Sequence, residues 1–174
     1  MKKYLLVLVV IIATALSSQA QKAELYFGYG GYTQMDATNM HDDWHGVNTA
    51  WGAVTMGVNF NVARKFWLGP SYTISSCTTK GGPDHSSILY NAVMLNGRYQ
   101  YWNNSVVRLY AHVGLGVEIS HMMPKHGDSY NKAYFAYQFT PLGAEAAIGR
   151  NVSLFGELGF GAQGLLQVGF RFGL

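Results

Sequence analysis

The chain of 174 residues has little of what stabilises many exported proteins, because Cys77 is its only cysteine. One cysteine excludes a disulfide within the chain. Charged residues are also scarce, at 12%, whereas glycine and tyrosine are abundant. Beyond residue 20 there is no run of about 20 apolar residues, so we expect no membrane-spanning helix. The basic residues are scattered singly, and we expect no nucleic-acid partner.

The first twenty residues have the pattern of a cleavable signal peptide. Lys2 and Lys3 precede an apolar run over 4–16, and Ser18 and Ala20 supply the small residues that a signal peptidase reads. We therefore predict a signal peptide over 1–20 and a mature domain over 21–174, with a formal charge of about +1. An uncleaved N-terminal anchor is the alternative.

The mature chain is patterned with a period of two residues. In 108–120, Val113, Leu115 and Val117 alternate with glycines, His112 and Glu118. Strict alternation indicates a strand with one apolar and one polar face. The same pattern predicts eight strands, over 23–33, 50–60, 66–78, 88–101, 108–120, 134–149, 152–160 and 166–174.

One predicted strand changes its parity. Phe139 continues the apolar positions of its first half, whereas Leu142 and Ala144 continue those of its second half. Proline cannot donate to a ladder, and one extra residue reverses the faces that follow. Pro141 therefore predicts a β-bulge near 140–142.

The predicted connections alternate in length, with long polar segments at 34–49, 79–87 and 121–133 and tight turns at 61–64, 103–105 and 150–151. The connection near 161–165 is also short. Aromatic residues lie near both strand ends, as two membrane interfaces would select. They are Tyr32, Trp51, Tyr90 and Tyr134 toward the long segments, and Phe60, Trp67, Tyr101 and Trp102 toward the tight turns.

These features together predict an all-β protein, a closed eight-stranded antiparallel transmembrane β-barrel in the bacterial outer membrane. Only a closed barrel pairs every backbone group of a strand within lipid. The apolar face would then contact acyl chains, and glycines on the other face would make room for large lumen side chains. A soluble β-sandwich is the alternative.

Two motifs and the final strand carry a resemblance to a known family. "PLGAE" (141–145), "FGELGFG" (155–161) and the alternating aromatics Phe170 and Phe172 resemble the small outer-membrane β-barrel domain family, often labelled porin-like. The resemblance implies outer-membrane lipid and lipopolysaccharide as surroundings and the barrel-assembly machinery as a partner. It implies no single function.

Six polar residues have the parity of the lumen: Arg98, His112, Glu118, Glu145, Glu157 and Arg171. Hairpin counting places Glu145 opposite Glu157, and Glu157 near Arg171. Two adjacent carboxylates repel unless a cation lies between them. We expect a salt-bridged plug rather than a channel, because eight strands leave room only for side chains. An ion-conducting role and a glycosidase-like carboxylate pair are the alternatives.

The long connections carry most of the histidines. His41, His45, His121 and His126, together with nearby carboxylates, could bind zinc or nickel, since imidazole and carboxylate suit these ions. Their spacing matches no closed structural metal site. A loop-based metal or small-ligand site is therefore an alternative function, and we expect no resident cofactor.

A second alternative is an enzyme that modifies lipid A. It would need a nucleophile and a base near the outer leaflet, where Ser120, His121 and Glu118 are predicted. Neighbouring residues on a strand point to opposite sides, so a Ser120–His121 dyad is not expected. The favoured interpretation is a monomeric, non-enzymatic barrel with a structural or surface-interaction role, whose extracellular loops contact a partner that the sequence does not name.

Overall fold

The computed structural model describes residues 22–37, 47–79, 87–124 and 127–174. It contains eight strands and one short helix, α1 (Gln34–Ala37). The strands are β1 (Ala23–Gly31), β2 (Val47–Ala63), β3 (Phe66–Thr79), β4 (Ser87–Asn103), β5 (Val107–Met123), β6 (Tyr130–Ala147), β7 (Val152–Gly161) and β8 (Leu166–Gly173). No helix in these ranges has the length and apolarity to span a bilayer. The signal peptide predicted over 1–20 lies outside the described residues.

The eight strands form a closed antiparallel barrel, which confirms the predicted fold. Each strand pairs with the next, and β1 also pairs with β8, where Leu25 lies opposite Phe172. The alternation of the sequence becomes an alternation of exposure. Leu115 and Val117 are each 54% exposed on the outer surface, whereas His112 is 5% exposed inside.

The bulge predicted near Pro141 is present in β6. Tyr110 pairs with Gly143 and His112 pairs with Thr140, so Pro141 and Leu142 together lie opposite one residue of β5. The neighbouring ladder with β7 shifts at the same place. Because of this extra residue, both halves of β6 keep their apolar side chains outward.

The connection between β5 and β6 is shorter than the sequence pattern suggested. We expected a long segment over 121–133, but β5 continues to Met123 and β6 begins at Tyr130. His121 pairs with Asn131 and Met122 with Tyr130. The sequence pattern missed this pairing because Asn131 and Lys132 are polar, whereas the strands were predicted from their apolar residues.

Three of the eight predicted interface aromatics turn away from lipid. Trp67 and Tyr90 are buried inside the barrel, 8% and 3% exposed. Tyr134 packs against a buried cluster that includes Cys77 and Ile88. All three share the parity of lumen residues on their own strands. The prediction used only their positions near strand ends, so it missed their inward orientation. Tyr32, Trp51, Tyr101 and Trp102 are exposed on the outer surface.

Polar side chains also fill the middle of the barrel interior and cover part of the edge of β6. The connection 162–165 places Gln163 inside, fully buried, where its backbone N–H donates to Gln138 Oε1 at 2.9 Å. The first residues of β6 extend beyond the end of β7. Gln34 of α1 contacts this part of β6, where its Nε2 donates to the Phe135 carbonyl at 3.1 Å. These contacts satisfy backbone and side-chain polar groups that would otherwise be buried unpaired.

Candidate functional site

The barrel interior contains a layer of charged side chains next to the tight-turn end. Arg98 of β4, His112 of β5, Glu145 of β6, Glu157 of β7 and Arg171 of β8 are all 5% exposed or less. Each has lumen parity on its strand, and the closed ladder brings them together across the interior. Glu118, also predicted here, lies apart and accepts a hydrogen bond from Ser120 Oγ at 2.9 Å.

Arg171 is the centre of this ionic layer. Its Nη1 donates to Glu145 Oε2 and its Nη2 to Glu157 Oε1, both at 2.9 Å. Its guanidinium carbon also lies 4.3 Å from the ring centroid of Phe155 and 4.6 Å from that of Tyr110. A guanidinium between aromatic faces and carboxylates is held by charge-assisted hydrogen bonds and cation–π attraction together.

The ionic layer includes two charged residues that sequence reasoning missed. Glu24 of β1 accepts a hydrogen bond from Arg98 Nη2 at 2.9 Å, and Arg108 Nη1 lies 3.1 Å from Glu145 Oε1. The layer thus contains three carboxylates and three guanidinium groups, so its formal charges balance without His112. Both missed residues have lumen parity, and that signal was sufficient to find them.

His112 joins the ionic layer to a layer of neutral polar groups. Its Nδ1 lies 3.1 Å from Glu157 Oε2, and its Nε2 lies 2.9 Å from Asn96 Oδ1. Asn96 in turn donates to Ser71 Oγ at 2.6 Å. Farther from the tight turns, Gln138 and Thr140 continue this neutral layer. Buried polar side chains are tolerated when they are paired in this way.

Two glycines make room for tyrosine rings in the lumen. Tyr26 pairs with Gly57, and Tyr110 pairs with Gly143. A Cβ at Gly143 would lie 2.2 Å from a Tyr110 ring carbon, and one at Gly57 would lie 2.5 Å from the Tyr26 ring. Tyr110 can therefore lie flat across the barrel, where its hydroxyl donates to Glu157 Oε1 at 2.8 Å.

Of the two contacts predicted by hairpin counting, Arg171 does lie near Glu157, but Glu145 does not lie opposite Glu157 in the ladder. Gly143, not Glu145, lies opposite Glu157, and Gln167, not Arg171, is the ladder partner of Glu157. The contact between Arg171 and Glu157 still forms, because the long guanidinium side chain reaches beyond its ladder partner Ser153.

Side chains nearly fill the ionic layer. The cavity bounded by Tyr26, His112 and Glu157, among others, has a volume of about 10 Å³. That volume is at the lower limit for one water molecule. An interior of this kind offers no wide path for a solute through the part of the barrel that the structure describes.

The tight-turn end contains a larger, open cavity, which we call the turn-end vestibule. Its volume is about 650 Å³, and its rim includes Lys22, Arg64 and Arg150. Its floor includes Trp67 and Gln100, above the ionic layer. The size lies within the range of small-molecule sites, which is about 300–1,000 Å³.

The two alternative sites have little support among the described residues. Among those residues, no three or more His, Cys, Asp or Glu side chains are arranged so that they could hold a metal ion. His121 lies in β5, with its Nδ1 2.6 Å from Asn131 Oδ1. His41, His45 and His126 lie outside the described residues, so a metal site that includes them stays a prediction. Ser120 is buried and bonded to Glu118, on the face of β5 opposite His121.

The family model described as outer membrane protein beta-barrel domain matches residues 5–162. This match covers most of the chain, and the closed barrel is the fold it requires. The chain therefore belongs to the outer-membrane β-barrel domain family, and its location is the bacterial outer membrane. No curated protein sequence matches it significantly.

Two solved structures illustrate the shared architecture. The attachment invasion locus protein Ail of Yersinia pestis, solved with the heparin analogue sucrose octasulfate, is 12% identical, with a TM-score of 0.53 over 89% of this chain and 96% of its own. The N-terminal β-barrel domain of Pseudomonas aeruginosa OprF is also 12% identical, with a TM-score of 0.50 over 90% and 98%. At such identity, these similarities show the fold alone.

Proposed function

We propose that this barrel is a membrane anchor that presents its long connections to an extracellular partner, and that it is neither a pore nor an enzyme. The observation that carries the proposal is the filled interior. The ionic layer has room for about one water, and Gln163 fills the lumen beside the neutral layer, where its Nε2 donates to Ser71 Oγ at 3.3 Å. A barrel without an open path acts through the surfaces at its ends.

The long connections give a first indication of the partner's charge. Segments 38–46, 80–86 and 124–129 contain Asp42, Asp43, Asp84 and Asp128 but only Lys80 and Lys125. With neutral histidines, these connections have a formal excess of two negative charges. Ail was solved with a sulfated sugar, but this charge excess disfavours a polyanion here. We propose a partner with a neutral or basic surface.

The absence of catalytic activity is part of the same proposal. Glu118 holds the hydroxyl of Ser120 at 2.9 Å, and the ring of His121 lies on the other face of β5. Ser120 and Glu118 are 0% and 1% exposed and face the lumen, so their hydrogen bond lies out of reach of a lipid acyl chain outside the barrel. Incubation of the barrel with lipopolysaccharide is therefore expected to leave the number of acyl chains unchanged by mass spectrometry. A lost or gained acyl chain would contradict this part.

Binding of charged probes to the barrel in nanodiscs of zwitterionic lipid tests the loop proposal. Polylysine is expected to bind the intact protein, and heparin is not. Replacement of 39–45 by a Gly-Ser linker removes Asp42 and Asp43 and should weaken polylysine binding. Asn103→Ser, at the opposite end, serves as the control. Equal binding by the linker variant, or preference for heparin, would overturn the proposal.

A further inference from the structure

The strands differ in length, and β6 extends past its neighbour β7 at the end of the long connections. β5 and β6 have 17 and 18 residues, whereas β7, β8 and β1 have 10, 8 and 9. The β5–β6 ladder continues as far as the pair of Met122 with Tyr130, but β7 pairs with β6 only from Gln138 onward. The segment Tyr130–Tyr137 therefore has a strand edge without a neighbouring strand on the β7 side.

Alternate residues of this edge direct their backbone groups away from β5. Gln34 Nε2 donates to the Phe135 carbonyl at 3.1 Å, and the Tyr137 N–H donates to Gln34 Oε1 at 3.3 Å. In an antiparallel strand the N–H and C=O of one residue point to the same side, and successive residues alternate. Asn131 and Ala133 therefore direct their backbone groups to the same side, away from β5.

The backbone groups of Asn131 and Ala133 have no hydrogen-bond partner on that side among the described residues, and neither does the Phe135 N–H. All three residues are exposed. Between 130 and 137 there is no proline, and the ladder with β5 has no bulge. An exposed edge with unpaired N–H and C=O groups is a template for another strand.

Gln34 indicates which chemistry this edge accepts. Its side-chain amide offers one donor and one acceptor to β6, as one residue of a neighbouring strand would. Beyond Gln34, donors and acceptors continue along the edge at the spacing of a strand. Another polypeptide backbone matches such a row, and a sugar or a lipid headgroup does not.

The side chains beside the edge favour a segment with apolar and basic residues. Phe135 is 63% exposed, and its ring is stacked on that of Tyr137 with centroids 6.4 Å apart. An apolar side chain on the added strand would pack there. Asp128 is exposed in the connection between β5 and β6, and the long connections together have an excess of negative charge. Basic side chains complement that charge.

From these observations we propose that the edge of β6 over 130–135 binds an extended segment of the extracellular partner as an added β-strand. The inference rests on the proposed function, and it specifies the partner as a polypeptide with apolar and basic side chains. Backbone hydrogen bonds supply the affinity, and the neighbouring side chains supply the preference.

Two peptides of equal charge and length test the proposal. A repeat of Lys-Val readily forms a strand, whereas a repeat of Lys-Pro lacks half of the N–H donors. With the barrel in nanodiscs of zwitterionic lipid, we expect Lys-Val to bind at least about fivefold more tightly, as expected for additional backbone hydrogen bonds. Equal binding of both peptides would overturn strand addition and leave a partner chosen by charge alone. No binding of either peptide would overturn the basic partner of the proposed function as well.

A variant pair locates the binding on β6. Ala133→Pro removes one N–H donor of the edge, and that N–H points away from β5, so the β5–β6 ladder is kept. Ala133→Val is the matched control, because it retains the donor. Gel mobility checks that both variants fold. We expect Ala133→Pro to abolish the preference for Lys-Val and Ala133→Val to keep it. The same preference in both variants would contradict the assigned edge.

Amide hydrogen exchange of the wild-type protein tests the edge without any variant. The N–H groups of Asn131, Ala133 and Phe135 should exchange fast in the free protein and slowly with Lys-Val bound. Those of Lys132 and Tyr134 point to β5 and should stay unchanged. Slow exchange at the first three residues in the free protein would show that a second copy or another segment of this chain covers the edge, and would overturn the proposal.

Discussion

Arg171 Nη1 lies 2.9 Å from Glu145 Oε2, although the two residues lie on β8 and β6, which are not neighbours in the sheet. The contact spans β7 through the interior, because the curvature of the sheet brings lumen side chains of β6 and β8 together. Arg171 also lies opposite Tyr26 in the ladder between β1 and β8, which closes the barrel.

Removal of the Arg171 cation should be strongly destabilising. Arg171→Met would leave Glu145 and Glu157 buried with fewer cations, and one broken buried pair costs about 3–5 kcal/mol. Urea unfolding in lipid vesicles, followed by gel mobility, measures the free energy of unfolding. Arg150→Met, on the exposed rim, is the control and should stay within about 0.5 kcal/mol of the wild type. A loss below about 1 kcal/mol in Arg171→Met would contradict a structural role for the ionic layer.

The close approach of Tyr110 to Gly143 makes a second prediction. Gly143→Val should prevent the tyrosine ring from lying across the barrel, because even a Cβ would come within 2.2 Å of it. We expect failed refolding or a loss of about 1–3 kcal/mol, with partial recovery when Tyr110→Ala is added. Gly156→Ala is the control, since nothing lies within 4 Å of its Cβ position. Additive effects of the two changes would argue against direct contact.

The outward face of β5 provides a third prediction. Leu115 is 54% exposed near the middle of its strand, and Leu115→Arg should cost about 2–4 kcal/mol in a bilayer. Val106→Arg, in the turn before β5, places the same side chain at the interface and should cost about 0–1 kcal/mol. The same vesicle unfolding measurement compares the two variants. A similar cost at both positions would mean that Leu115 does not face the acyl chains.

The N-terminal segment makes a fourth prediction, independent of the barrel. If a signal peptidase reads Ser18 and Ala20, the mature protein begins at Gln21. Intact-mass spectrometry of protein isolated from outer membranes measures the N-terminus directly. Ala20→Leu is expected to block processing, whereas Ala23→Leu should not. A mature protein that retained residues 1–20 would support the alternative of an uncleaved anchor.

The sequence predicted the strands well because each one has two chemically different faces. The bulge at Pro141 could be located because the parity changes there between Phe139 and Leu142. Parity also identified Arg98 and Arg171 as lumen residues, and applied to Glu24 and Arg108 it would have completed the ionic layer. One rule about alternation therefore accounts for most of the fold and for the identity of the charged residues.

Most contacts between these residues could not be predicted in the same way, although hairpin counting did place Glu157 near Arg171. Hairpin counting assumes that a turn lies midway between two strands of similar extent. Gly161 and Gly164 adopt positive φ angles of 140° and 104°, and the chain between them turns into the lumen. This turn shifts the register between β7 and β8. Contacts such as Arg98 with Glu24 depend on closure of the barrel, which pairwise counting does not include.

The central claim is that alternate residues of each strand face acyl chains and a filled interior. In β4, Val93 and Leu95 are 60% and 55% exposed, whereas Ala92 and Met94 are 3% and 2% exposed. Methyl NMR of the barrel in lipid nanodiscs can measure cross-relaxation from acyl-chain protons to each of these methyl groups. We expect strong cross-peaks for Val93 and Leu95 and none for Ala92 and Met94. Acyl contacts of equal strength at all four residues, or at none of them, would contradict the account.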